Sequence, residues 1–383
     1  MKKLFNYLHL RDVGFLEFTF AITPMLGGFS LGSLPMSLVM WLLLLVIAIS
    51  KGKFKPKNFM PLTIFVVYWI LHQFFIMFAD NVNFAGFLQQ LIWFGAVYVL
   101  FPILNLRKLR GALNWVALIS LAGILYQWGI ISAGGEVSPL GIPGLTMPDI
   151  RMEGLSVRPS SFYMEPAAYV AFMICPLALA LIEKQYAWSI AIILSVFLTT
   201  STTGLVVSFV MLAMSLFANK IKTGSIIGIL AIGVGLFYVL THFSAFDYGV
   251  NKLETTDVER NVRLAQGPYI VSTMHSDEYL FGASYSTPYN YCRAGRASDV
   301  IFYAESVYMS TFWVMILLYG IIGLILYLNI YYRLFKSSIA TLPLLASLFA
   351  TLFSSGYAIG GTYVFTLILL LVIVEGDKKS IKV

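Results

Sequence analysis

Apolar stretches long enough to span a bilayer recur almost end to end along this 383-residue chain, and nothing else in it constrains the fold as much. A run of about 17 to 25 mostly apolar residues crosses hydrocarbon as a helix, because only a helix satisfies its backbone hydrogen bonds from within one segment. Some twelve such segments are readable, counting a few shorter ones: 14–30, 34–50, 59–79, 84–104, 112–132, 166–182, 187–200, 203–218, 223–243, 307–332, 339–355 and 360–374. With 59% hydrophobic and 11% charged residues, the chain lies far from a soluble domain, in which about a quarter of residues are charged. The expected fold class is an all-α integral membrane protein, one polytopic domain over 1–383 with about twelve transmembrane helices. Two larger external loops, about 133–165 and 244–306, interrupt them, the second partly helical.

Charge sets the orientation. With both termini inside, 18 of the 25 Lys and Arg residues fall on the inner side, the excess expected of cytoplasmic segments. The net charge of +7 is then a topology signal and implies no nucleic-acid partner. The other seven basic residues are Arg151, Arg158, Lys252, Arg260, Arg263, Arg293 and Arg296, all in the two external loops. Six of these seven are Arg, although Lys outnumbers Arg by 15 to 10 in the whole chain. Membrane insertion does not distinguish the two residues, so the preference needs a chemical reason. A guanidinium matches phosphate oxygens two at a time, whereas an ammonium is a point charge.

Several classes are disfavoured. Cys175 falls in a helix and Cys292 in a loop, so no disulfide between them is expected. His9, His72, His242 and His275 match no metal-ligand spacing, and there is no P-loop or dinucleotide fingerprint. No cofactor is expected. Met1 to Asp12 runs into a spanning segment without a cleavage pattern, so the first helix is expected to serve as the targeting signal. The spans are almost free of charge, Glu17 being the main exception.

The first external loop ends in Arg158-Pro159-Ser160-Ser161-Phe162-Tyr163-Met164-Glu165-Pro166. Pro166 suits a first helical turn, which places Glu165 at the N-cap. There it either complements the helix dipole and pairs with Arg158, or accepts a proton or sugar hydroxyl beside arginines. In Thr199-Thr200-Ser201-Thr202-Thr203-Gly204, Ser201 and Thr202 either cap a tight hairpin or floor a sugar or diphosphate site. In the second loop Thr256 or Asp257 caps a helix running through Ile270, with Arg260 and Arg263 on one face. Arg293 and Arg296 repeat that spacing, and Tyr269, Tyr279, Phe281, Tyr285, Tyr289 and Tyr291 lie around them. Such aromatics pack on sugars, build loop cores or mark a membrane interface. Glu305, in Ala304-Glu305-Ser306-Val307-Tyr308, lies at the outer mouth of the helix containing Tyr319-Gly320-Ile321-Ile322-Gly323.

The order of these motifs, from about Leu140 to Leu326, resembles the O-antigen polymerase and ligase superfamily: RPSSFYMEP into a helix, a Thr/Ser-Gly hairpin, an arginine-bearing external loop, then AESVY into a helix with YGIIG. The resemblance implies a multi-pass protein of the bacterial inner membrane, acting at its periplasmic face on glycans carried by undecaprenyl diphosphate. It assigns the lipid diphosphate to Arg158 and to Arg260 or Arg263. Ligases carry His followed by Asn or Ser where this chain has Glu305-Ser306, so the resemblance favours the polymerase.

The expected activity is a metal-independent glycosyltransferase, with Arg158, Arg260 and Arg263 on the diphosphate and Glu165 or Glu305 as base. Weaker expectations are substrate contacts from Arg151, Arg293, Arg296, Ser201, Thr202 and Tyr269. Expected partners are undecaprenyl-diphosphate-linked oligosaccharides as donor and acceptor, membrane lipid, and a chain-length regulator protein. The alternatives are an O-antigen ligase acting on lipid A core and, more remotely, a polysaccharide flippase, although transporters place functional charges near the midplane. A cysteine introduced at Ser284 is expected to react with an impermeant thiol reagent in intact spheroplasts. Its failure to label would overturn the assignment of 244–306 to the outside.

Overall fold

The computed structural model describes all residues except 1–5, 52–56, 58, 80–83, 148–157, 219–261, 300–306, 308, 355–359 and 381–383. The described chain is almost wholly helical. Its helices are α1 Phe15–Ile22, α2 Met36–Ser50, α3 Met60–Ala79, α4 Phe84–Leu100, α5 Leu106–Ser132, α6 Pro166–Ile182, α7 Tyr186–Leu198 and α8 Thr202–Ala218. They continue with α9 Val262–Ser272, α10 Ser276–Phe281, α11 Pro288–Tyr291, α12 Thr311–Ser337, α13 Leu342–Ser354 and α14 Gly361–Ser380. Two short antiparallel strands, β1 Ser30–Leu31 and β2 Leu34–Pro35, turn the chain between α1 and α2. Among the described residues α5 and α12, at 27 residues each, are long and apolar enough to cross a membrane by length and composition.

Helices apolar on every face belong at the centre of a bundle, and α6 and α14 obey this rule. Tyr363 to Val374 of α14 is buried apart from no residue in that run, and α6 is buried from Phe172 to Leu181. Phe365 of α14 stacks on Phe20 of α1, with ring centroids 4.4 Å apart, and approaches Phe172 of α6. The outer helices reverse the usual pattern. Val46 and Ile49 of α2, Phe74 and Phe75 of α3, and Phe209 and Phe217 of α8 are exposed.

Polar contacts sort into two groups at opposite ends of the bundle. At the basic end, Arg107 pairs with Asp12 at 2.9 Å, Arg110 with Glu183, and Lys57 with Glu375. His9 contacts Arg110 there, and burial, then the neighbouring Arg110 and Arg107, holds His9 below its ordinary pKa. The N-terminal segment is tied down by donors from α5 and the α6–α7 turn: Asn114 to Leu8 O, Trp115 to Leu10 O and Gln185 to Tyr7 O. The buried Glu17 accepts the Asn105 amide at 3.1 Å, so this charge inside an apolar segment serves a helix start. At the far end, Ser30 and Thr146 exchange backbone hydrogen bonds at 2.8 and 2.9 Å. Every pair named here joins segments that the charge alternation puts on one side.

Two expected spans are not single helices. The segment 14–30 is α1 followed by a 3-10 turn at Met25–Gly28, as Pro24 and the Gly27-Gly28 pair dictate. The segment 307–332 starts its helix at Thr311 and is broken inside at Gly320, whose φ of 66° and ψ of −178° leave the helical region. The helix of segment 84–104 stops at Leu100, and 223–243 lies outside the described residues.

The break in α12 is where the second loop docks. A Cβ on Gly320 would stand 2.2 Å from Leu280 O, and one on Gly282, itself at φ 95°, 2.3 Å from Leu318 O. The freed backbone groups find partners: Ala283 N donates to Leu317 O, and the Tyr68 hydroxyl donates to both Tyr319 O and Phe281 O. Non-helical backbone inside an apolar bundle persists only when other groups satisfy it in this way. The second loop therefore packs into the bundle at residues 281–283. Gly320→Ala and Gly282→Ala are each expected to destabilise the protein by more than about 2 kcal/mol, since backbone must move as well as strain accumulate. Tyr68→Phe is expected to cost less, about 1 kcal/mol. Thermal unfolding midpoints of the purified variants check the order.

Candidate functional site

The Arg158–Pro166 segment is shaped by one buried glutamine. Gln127, in the last third of α5, is fully buried; its Oε1 accepts the amides of Ser160 and Ser161 at 3.0 and 2.8 Å, and its Nε2 donates to Ser138 O at 2.6 Å. Leu140 N adds a bond to Ser161 O at 2.7 Å. Both ends of the first external loop are thus fastened to α5. Gly123, one turn before Gln127, has to be small, because a Cβ there would lie 2.2 Å from Ser161 Oγ. Ser160 Oγ donates to Tyr163 O at 2.8 Å, which closes the turn that delivers Glu165 to the start of α6.

Glu165 has extended φ and ψ at the N-cap, and Pro166 occupies the first turn, as the sequence predicts. Its side chain, however, makes no capping hydrogen bond. The carboxylate lies instead in the wall of two cavities. One, about 100 Å³, runs between α6, α8, α12, α13 and α14 and is lined by hydroxyls, among them Thr203, Thr311, Thr362, Tyr327 and Tyr363. The other, about 430 Å³, lies between α1, α2, α4, α6 and α14, with Trp41, Trp93, Tyr163 and Thr362 in its wall. Glu165 and Thr362 belong to both.

Arg158 is brought to the same end. Its Nη1 donates to Thr200 O at 3.4 Å, in the hairpin between α7 and α8. Thr200 has a φ of 54°, and Ser161, three residues after Arg158, a φ of 56°. A β-branched residue in the left-handed region is an outlier that the surroundings must enforce. Buried Ser201 accepts the Gly204 amide with its hydroxyl at 3.3 Å, which is the capping use of that residue. The backbone of Thr202 begins α8, and the next residue, Thr203, lines the smaller cavity with Glu165. Arg158, the hairpin and Glu165 therefore surround the heads of α6 and α8.

The second loop spends its groups differently. Arg296 donates to Glu278 at 2.9 Å, meets His275 Nε2 and lies 6.0 Å from the Tyr291 ring centre. The other oxygen of Glu278 accepts the His275 amide. This is the loop-pairing use of Arg296 rather than a ready ligand contact. Arg293 is exposed. Tyr269 donates to Asp299 at 2.6 Å, and that bond holds its phenol above the ordinary pKa. The aromatics divide: Tyr291 is buried against Tyr285 as a loop core, whereas Tyr269, Tyr279, Phe281 and Tyr289 are exposed. Arg263 belongs to α9, whose described part begins at Val262. Arg151, Arg260 and Glu305 lie outside the described residues.

Cys175 and Cys292 are both free and buried. Among the described residues no three His, Cys, Asp or Glu side chains converge as metal ligands. No protein-family model matches the chain, and no curated protein is significantly similar to it.

Sequence reasoning missed Gln127, Trp41 and Trp93. An isolated Gln in an apolar helix beside a long loop is the one signal that could have marked the first. Gln127→Leu is expected to leave the two buried amides of Ser160 and Ser161 unpaired and to cost about 2 kcal/mol or more. Gln127→Glu, which keeps an acceptor for both serine amides, is expected to fall between the two. Unfolding midpoints and the rate of proteolysis within 133–165 measure this.

Proposed function

We propose that this chain is a membrane-embedded, metal-independent glycosyltransferase of the polysaccharide-polymerase type. It moves a growing glycan from undecaprenyl diphosphate onto the non-reducing end of a lipid-linked repeat unit, at the outer face of the bacterial inner membrane. A multi-pass arrangement is supported by the exposed apolar faces of α2, α3 and α8, which suit lipid better than water, and by the sorting of polar pairs to two ends. The observation that carries the chemical reading is Glu165: a carboxylate in the wall shared by two cavities that also carry hydroxyl side chains, a few residues from Arg158 and one helix head from the Thr/Ser hairpin.

The proposed step forms a bond from an acceptor sugar oxygen to the donor's anomeric carbon and breaks the bond from that carbon to the diphosphate. The diphosphate leaves with the electron pair. Glu165 accepts the proton of the attacking hydroxyl, which makes the oxygen a better nucleophile. Arg158, with Arg260 and Arg263 from the second loop, balances the charge that grows on the leaving group. In this reading guanidinium groups supply the positive charge that a divalent ion provides in other sugar-diphosphate chemistry, since the sequence shows no clustered ligand set.

Purified protein given extracted lipid-linked repeats alone is expected to yield a ladder of products in EDTA, without any lipid A core. A ladder that needs core would mean a ligase, and one that needs added magnesium or manganese would remove the metal-free mechanism. Arg158→Lys, Arg260→Lys and Arg263→Lys are expected to lose about ten- to a hundredfold in rate at matched expression, because Lys keeps the charge and loses the paired donors. Arg296→Lys is expected to retain most activity, since Arg296 already pairs with Glu278.

A further inference from the structure

A donor without a partner belongs to a side chain in the wall of the larger cavity. Trp93 Nε1 is buried without a hydrogen-bond partner, on a side chain that lines the 430 Å³ space together with Trp41, Thr23, Ser37, Thr362 and Glu165. That volume is in the range of small-molecule sites, about 300–1,000 Å³. A buried N–H is costly to leave unpaired, so a ligand that accepts from it gains what an alkyl chain filling the same space does not. Among the described residues no Lys or Arg lines the cavity, and Glu165 gives it a carboxylate, so an anion such as the diphosphate is disfavoured there. What remains is a neutral ligand with apolar faces and many hydroxyls.

The geometry points to this cavity as a sugar subsite, holding a pyranose of the acceptor repeat between Trp93, Trp41 and Glu165. A sugar's C–H face suits an indole, and its hydroxyls can accept from Trp93 Nε1 and reach the Thr23, Ser37 and Thr362 oxygens. The word acceptor rests on the polymerase reading; the sugar itself rests on the lining. Glu165 then has two neighbours: the acceptor hydroxyl in the cavity and the donor at the arginines. Trp93 is a specificity-determining residue in this scheme, since a site built to donate to a hydroxyl rejects a sugar that lacks it.

Two substitutions test the cavity without touching Glu165 or the arginines. Trp93→Phe keeps a ring and deletes the donor. Gly27→Leu fills the space: a Cβ at Gly27, which lines the cavity, meets no atom within 4 Å. The probe is the oligosaccharide released by mild acid from the lipid-linked pool of cells lacking this chain, labelled at its reducing end. It carries no diphosphate. Binding to the purified full chain is read by fluorescence anisotropy. Trp93→Phe is expected to weaken binding about three- to tenfold, Gly27→Leu to weaken it more than about tenfold, and Arg158→Lys to leave it unchanged. Wild-type binding by both cavity variants, or no binding by the wild type, overturns the subsite. The ladder assay on the same preparations separates the two claims. Binding that depends on Trp93 and Gly27 without a ladder upholds a sugar site and removes the polymerase reading. A ladder with binding indifferent to both residues removes the subsite alone.

Discussion

Backbone polar groups that fall outside regular helix have no water to turn to in a bundle this apolar, and the rest of the structure is arranged around that constraint. At Gly320 the helix opens, and Tyr68 and Ala283 take up the carbonyls it releases. At the start of α5 the Asn105 amide is taken by Glu17, and along α5 Asn114 and Trp115 hold the N-terminal segment. At the other end of the same helix Gln127 holds the loop that carries Arg158 and Glu165. Most polar side chains inside the helices are thus backbone partners. Glu165 stands out among them because its side chain does not cap the helix it begins.

The two ends of the bundle use charge differently. At the basic end, arginines and lysines are matched by Asp12, Glu183 and Glu375, so the positive excess there is partly neutralised by close pairs. At the far end Gln127 accepts from serine amides, Ser30 and Thr146 exchange backbone bonds, and Arg158 donates to a carbonyl. In the second loop Arg296 pairs with Glu278 and Tyr269 donates to Asp299. A guanidinium already paired with a carboxylate must give up that pair before it can hold an anion.

Much of the architecture was legible in the sequence because apolar length and period are properties of residues themselves. The succession of helices, the N-cap place of Glu165 and the helix through Ile270 all follow from local patterns, whereas the contact of Arg158 with the Thr/Ser hairpin, 42 positions away, does not. The failures share a cause. Around Gly320 the residues on both sides are apolar, so the helical pattern runs through the break, and the loop that requires it lies some forty positions earlier in the chain. Gln127 was unremarkable because its partners are backbone atoms, which leave no mark on a sequence. Trp41 and Trp93 read as membrane residues until the bundle brings them into one wall with Glu165.

A polymerase faces an asymmetry that this layout suits. The donor glycan lengthens with each cycle, so no closed cavity can hold it, and only its diphosphate and first sugar keep a constant shape. The acceptor repeat is always the same size. Arginines on loops fit the first requirement, since loops can grip a diphosphate while the glycan extends away from the bundle. A bounded cavity among helices fits the second, because a rigid wall fixes one hydroxyl relative to a carboxylate. Glu165 lies where the two meet: its backbone is set by the Gln127 clamp and Pro166, and its carboxylate edges the cavity. In the proposed polymerase, fixing the acceptor and leaving the donor at an open face would let one site serve chains of any length.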